Sequence, residues 1–137
     1  MHGFRLHESH LRQSRKGNQS MSNDMNQTMH DFKAAMGMMN REAPDTMQAF
    51  GGFMNAALSK GALDEKTKEL IGLGMAITAR CVYCIGIHVE KVLKAGGTHA
   101  EIIGVCEVAI VMGGGPALTY IAEVKKALDL FEQQKAG

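Results

Sequence analysis

A short segment in the middle of the chain carries two cysteines and a histidine at spacings that suit redox chemistry. Cys81 and Cys84 are three positions apart, and His88 follows four positions after Cys84. On a helix these side chains share one face. A helix N-terminus stabilises a thiolate, and two thiols at this spacing can close reversibly into a disulfide. Since a histidine one turn away can accept or return a proton, these residues form a candidate dithiol redox site.

The same residues allow two other interpretations. Cys81 and Cys84 could be buried structural thiols, or they could join His88 and Glu69 as four ligands of a zinc ion. Structural zinc sites usually hold more sulfur and join separate loops, whereas three of these groups lie on one short helix. The spacing therefore favours redox chemistry over both alternatives. The third cysteine, Cys106, lies on the apolar side of a predicted helix and is expected in the core.

Glu69 is a further candidate, but the residues alone do not place it at the cysteines. On one straight helix, Glu69 and Cys81 would be about 18 Å apart along the axis, which excludes contact. The two could meet only if the chain turned back just before Cys81. No proline or glycine in residues 76–80 indicates such a turn. The residues alone therefore favour a surface glutamate.

Composition and charge limit the class of protein. The chain has 137 residues, 45% of them hydrophobic and 21% charged, which fits one globular domain with a core. A net charge of +1 provides no global basic field for nucleic acid. The longest apolar stretch, residues 102–112, is too short to span a bilayer. With three cysteines and no apolar signal stretch in the first twenty residues, we expect a cytoplasmic protein without membrane association.

Helix formers dominate the composition, and the apolar periodicity predicts an all-α fold of about six helices. Residues 1–22 are expected to be a disordered arm, and residues 23–137 a single helical domain. A stripe at helical spacing predicts core or subunit interface on the first helix: Met25, Met29, Phe32, Met36 and Met39. Pro44, Asp64 and the pair Thr98 and Glu101 mark predicted helix starts. Glycines at 96–97 and the run Gly-Gly-Gly-Pro at 113–116 mark predicted ends, the second separating a fifth helix from a sixth.

The complete pattern resembles a known signature. Glu69, eleven residues, the Cys81–Cys84 pair, three residues and then His88 are similar to the motif of the AhpD-like alkylhydroperoxidases, within the carboxymuconolactone decarboxylase family. Residues 63–70, 93–96 and 113–116 match the surroundings of that motif. The resemblance covers roughly residues 45–130, most of the predicted helical domain.

The resemblance implies a helical bundle, assembled as a homo-oligomer (a trimer or hexamer), in which Glu69 does return to the cysteines. It implies that Cys81 and Cys84 cycle between dithiol and disulfide, while Glu69 and His88 relay protons without an organic cofactor or a metal. The implied partners are a peroxide substrate and a dithiol or peroxiredoxin-type redox protein. We expect Cys84 to be the more activated thiol, because His88 lies one turn from it.

Two features qualify the resemblance. Some family members have a histidine immediately before the second cysteine, where this chain has Tyr83. Tyr83 is therefore a candidate for a supporting role, and so is Arg80, which lies beside Cys81. The family also includes decarboxylases that act on an anionic lactone without a cysteine pair. This chain keeps both cysteines, and Arg80 is the only arginine after residue 42. The thiol-dependent activity is therefore favoured over decarboxylation.

Overall fold

The fold is all-helical, as predicted. The structure, a computed structural model, describes residues 24–136, so the predicted arm over residues 1–22 lies outside it. Within residues 24–136 the chain forms five helices and no strand. The helices are α1 (24–42), α2 (Pro44–Leu58), α3 (Glu65–Thr78), α4 (Val82–Lys94) and α5 (His99–Ala136).

The predicted count of six helices is wrong, because the glycine run bends a helix instead of ending it. Within α5 the backbone leaves helical geometry only at Gly114, with φ 64° and ψ −149°. A single residue in the left-handed half of conformational space suits glycine, which has no Cβ to clash. Pro116 then lies in the first turn of the second segment, where its missing N–H is no loss. The predicted fifth and sixth helices are thus two segments of α5.

Two of the predicted helix starts, at Asp64 and at Thr98, are confirmed by their hydrogen bonds. The Asp64 carboxylate accepts the Thr67 N–H at 2.7 Å and caps α3. At the start of α5, the Glu101 N–H donates to the Thr98 hydroxyl at 3.1 Å, and the Thr98 N–H donates to the Glu101 carboxylate at 3.3 Å. This reciprocal pair is a capping box, which satisfies two backbone donors that the helix itself leaves free.

The core lies between α3, α4 and α5, which all pack against one another. The largest fully buried side chains include Leu73, Ile77, Ile85 and Ile102. Helix α1 crosses α4 through Met25 and Met29, which are both buried. Their sulfur and methyl atoms occupy the space that a Cβ on Gly86 would need, at 2.6–2.9 Å. The first half of the methionine stripe is therefore core.

The remainder of α1 and all of α2 leave apolar side chains exposed. Met38 and Met39 are exposed on α1, and α2 has no buried residue although it carries Phe50 and Phe53. A second apolar surface lies between α3 and α5, where a groove of about 590 Å³ is lined by residues that include Ile71, Met75, Val105, Val108 and Met112. Contiguous exposed apolar surface of this kind is typical of interaction sites.

Helix α5 meets two simple criteria for a membrane span. Within the described residues it is the one helix that is both long and apolar enough to cross a bilayer. Core helices of soluble proteins meet the same criteria, so a single helix of this kind is weak evidence. The bend at Gly114 also divides it into two shorter segments.

Candidate functional site

The turn that brings the candidate residues together lies immediately before Cys81. After α3 ends, Arg80 has φ +56°, in the left-handed region that normally favours glycine. The Cys81 N–H bonds to the Ala76 carbonyl at 3.1 Å, and the Arg80 N–H bonds to the Ile77 carbonyl at 3.1 Å. These two bonds define a Schellman motif, which reverses the chain directly into α4. The chain therefore turns back before Cys81, as the resemblance implies. The sequence carries no signal for this turn, because Arg80 occupies the position where glycine is usual.

The cysteine pair occupies the N-terminus of α4. Cys81 is the N-cap residue, Cys84 lies in the first turn, and the two are joined as a disulfide with their Cα atoms 5.3 Å apart. The Cys81 sulfur accepts the Cys84 N–H at 3.3 Å, so it takes the place of a capping oxygen. This amide and the positive end of the helix dipole would stabilise negative charge on Cys81 once the disulfide opens.

Glu69 and His88 form a pair one helical turn beyond the cysteines. The Glu69 Oε2 lies 2.6 Å from His88 Nδ1, across 19 positions of sequence. Glu69 is 7% exposed, which makes it the one buried charged residue in the described range. The expectation from the residues alone, a surface glutamate, is therefore wrong. The carboxylate fixes the orientation of the imidazole and leaves Nε2 as the nitrogen that can exchange a proton elsewhere.

Two residues at the site have no counterpart in the sequence analysis. On α3, Gly72 faces the His88 ring: a Cβ on residue 72 would lie 2.8 Å from Cε1 and 3.0 Å from Nδ1. On α4, the Lys91 ammonium lies 4.0 Å from Oε1, the second oxygen of Glu69. Helical spacing gave a signal for both, since Gly72 follows Glu69 by three positions and Lys91 follows His88 by three.

Tyr83 and Arg80, the candidates for a supporting role, are both exposed. Tyr83 is 48% exposed, and its ring centroid lies 6.4 Å from that of Phe32 on α1. Arg80 is exposed and shapes the turn through its backbone. Cys106 is buried in the core as predicted, and burial raises the pKa of its thiol. Among residues 24–136, no three histidine, cysteine or acidic side chains gather into a group that could hold a metal ion.

Fold and site together define a class: an all-helical protein with a cysteine pair at a helix N-terminus and, beside it, a histidine paired with a buried glutamate. The sequence model of the carboxymuconolactone decarboxylase family matches residues 44–127. This chain belongs to that family.

Individual relatives agree over most of their length. An uncharacterized Haemophilus influenzae protein is 35% identical over 116 residues, which are 85% of this chain and all of the relative. A carboxymuconolactone decarboxylase family protein from Legionella pneumophila, solved in its apo form, is 34% identical with a TM-score of 0.73, covering 81% of this chain and 96% of that one. A family protein from Thermotoga maritima shares the fold at 24% identity and a TM-score of 0.65, covering 79% and 90%.

Proposed function

We propose that this protein is a thiol-dependent oxidoreductase of the AhpD-like type, which reduces peroxides or the disulfide of a partner. The observation that carries the proposal is the cysteine pair at the N-terminus of α4, next to His88 and its buried partner Glu69. Reversible dithiol chemistry needs a stabilised thiolate, a second thiol within bonding distance and a group that moves protons. Each requirement corresponds to a named residue here.

The peroxide reaction can be written with every atom assigned. The Cys84 thiol gives its proton to His88, and the thiolate attacks one oxygen of the O–O bond. That bond breaks, Cys84 becomes a sulfenic acid, and the leaving alkoxide takes the proton from His88 to become an alcohol. The Cys81 thiol then attacks the Cys84 sulfur, which forms the disulfide and releases water. The peroxide gains two electrons and the cysteine pair loses them.

A disulfide substrate would follow the same course. The Cys84 thiolate attacks one sulfur of the partner and forms a mixed disulfide, and Cys81 resolves it while the partner leaves as a dithiol. In either case a dithiol donor returns two electrons to the pair. Glu69 acts through His88, because its carboxylate orients the ring and stabilises the imidazolium that each proton transfer creates.

The family supports this proposal in part. The Thermotoga maritima relative has been described with a suggested involvement in the antioxidative response. We extend that description to this chain on the strength of its own cysteine pair. The decarboxylase alternative has no comparable feature, since Arg80 is the only arginine after Arg41 that could hold an anionic lactone. The zinc alternative has no assembled ligand group in residues 24–136.

We propose in addition that the protein acts as a homo-oligomer in the cytoplasm, where a dithiol donor is available. The exposed aromatic side chains of α2 and the groove between α3 and α5 support a self-associating surface. Covering both in an assembly would remove apolar area that a free monomer leaves in water. Light scattering of the purified protein measures the state directly.

The experiment that tests the function counts thiols and activity together. The oxidised, metal-analysed protein should gain two thiols on reduction, and the reduced form should consume a peroxide or a model disulfide. The double Cys81/Cys84→Ser variant should do neither, whereas the matched Cys106→Ser variant should retain both. One equivalent of zinc that masks the thiols would overturn the proposal. Lactone decarboxylation that survives in the double variant would overturn it too.

A further inference from the structure

A polar cleft of about 300 Å³ opens beside the Glu69–His88 pair without touching either cysteine. Its walls come from the end of α2, the first turns of α3 and the end of α4, and its lining includes Asn55, Ser59, Glu65, Lys91 and Ala95. Glu69 also lines it, although only a small fraction of this residue is exposed. The cleft is therefore an opening between the buried carboxylate and solvent.

The proposed chemistry needs such an opening in its reductive half. When two donor thiolates reduce the disulfide, the first attacks one protein sulfur and the second releases the mixed disulfide. The donors leave as one disulfide, and the protein takes up two protons to become a dithiol. A donor bound at the cysteines occupies that end of α4 while this happens. Protons that replenish His88 without passing the donor need a second opening.

We infer that this cleft is the route by which protons from solvent reach the Glu69–His88 pair, and that Lys91 is a positioning residue for it. The inference rests on the proposed function. One Glu69 oxygen binds His88 at 2.6 Å, and the other lies 4.0 Å from the Lys91 ammonium, which is 45% exposed. The carboxylate is thus held between the imidazole and a cation at the mouth of the cleft.

The charges around Glu69 are consistent with a proton path and not with a site for an anion. From α4 it faces His88 and Lys91, and from its own helix Glu65 contributes a second carboxylate to the lining. The end of α2 contributes the neutral side chain of Asn55. Lys68 does not compete with Lys91 for the Glu69 carboxylate, because the Lys68 ammonium donates to the carbonyls of Ala57 and Ser59 at 2.8 Å each. Those two bonds also hold the end of α2 in place as a wall.

The test uses two substitutions, one that fills the cleft and one that removes the positive charge at its opening. Ala95→Phe fills the cleft from the end of α4, and Lys91→Met removes the charge but keeps the stem. The matched controls are Ala100→Phe, an exposed alanine on α5, and Lys94→Met, whose lysine pairs with Glu90 on the surface. The oxidised protein is mixed with 2-mercaptoethanol at neutral pH, and rapid quenching with an alkylating agent follows the formation of the Cys81 and Cys84 thiols. The same rates are measured in D2O.

We expect Ala95→Phe and Lys91→Met to slow formation of the two thiols about three- to tenfold, a fraction of what a general acid–base group supplies. The solvent deuterium isotope effect should rise in both, and Lys91→Arg should restore the rate. Both controls should behave like the unmodified protein. Thiol formation at the unmodified rate in Ala95→Phe and Lys91→Met would overturn the proton route alone. If the unmodified protein is not reduced at all, the proposed function fails as well.

Discussion

The imidazole of His88 lies directly against the backbone of Gly72, so closely that a Cβ at position 72 would be 2.8 Å from Cε1. The 2.6 Å contact with Glu69 holds the ring through Nδ1. Because Glu69 and Gly72 are one turn apart on α3, a single helix face both binds the histidine and makes room for it. The position of the His88 ring therefore depends on the absence of a side chain at position 72 as much as on the Glu69 carboxylate.

The first prediction follows from this contact. Gly72→Ala should push the His88 ring away from Glu69 and lower turnover roughly 10- to 100-fold, since misplacing a catalytic group by about an ångström has effects of that size. The measurement is the rate of peroxide or disulfide reduction, together with the histidine NMR signals of His88.

The control uses another helical glycine. A Cβ on Gly104, in α5, would meet no atom within 4 Å. Gly104→Ala should leave turnover unchanged and raise the free energy of unfolding by about 0.5–1 kcal/mol, the usual gain for this change in a helix. Equal activity in the two alanine variants would show that Gly72 does not position the ring.

A second prediction concerns which cysteine carries the mixed disulfide. The Cys84 N–H stabilises a thiolate on Cys81, which makes Cys81 the better leaving group when a thiolate attacks Cys84. In the proposed reaction Cys84 attacks a partner disulfide and Cys81 resolves the mixed disulfide, so Cys81→Ser should keep one half of the partner bound through Cys84, and Cys84→Ser should trap little. Mass spectrometry of the two single variants after reaction with a model disulfide decides the matter. Trapping through Cys81 alone would reverse the assignment.

A third prediction is a pH dependence at the start of α3. The Thr67 N–H that donates to Asp64 lowers the pKa of this carboxyl below its ordinary value of 3.8. A lowered pKa in the folded protein means stabilisation that is fully present above 3.8 and is lost as the pH falls through the lowered value. Asp64→Ala should therefore lower Tm at neutral pH, and its difference from the unmodified protein should shrink in acid. A difference that stays constant into acid would contradict this.

Much of the local structure could be predicted because its signals are short-range. Asp64 before α3, the pair Thr98 and Glu101, and Gly96 after α4 each satisfy backbone groups within a few positions of themselves. The cysteine pair and His88 share a helix, so their spacing already implies a common face. The contact of Glu69 with His88 spans two helices, and it was implied only by resemblance to a family.

What could not be predicted from the residues depends on a turn that breaks a local preference. Gly96 and Arg80 occupy the same position in two Schellman motifs, one after α4 and one after α3, with φ +86° and +56°. The glycine predicts the first turn, whereas the arginine gives no signal for the second. Gly114 shows the converse, since a glycine run that predicted a helix end produces only a bend. In both places the packing of neighbouring helices outweighs the local signal.

The last prediction uses this contrast. An L-residue in the left-handed region costs about 1 kcal/mol relative to glycine, so Arg80→Gly should raise the free energy of unfolding by about that amount. The matched control is Ala79→Gly, because Ala79 has ordinary helical angles, φ −76° and ψ −8°, where glycine should destabilise. Urea unfolding of the two variants measures both changes.

Arg80→Gly should also leave the Glu69–His88 pair intact, since the turn is held by backbone bonds of Arg80 and Cys81 that glycine can equally form. If the variant is more stable yet slower with anionic substrates than with neutral ones, the arginine side chain contributes to substrate choice; equal rates would confine its role to the turn.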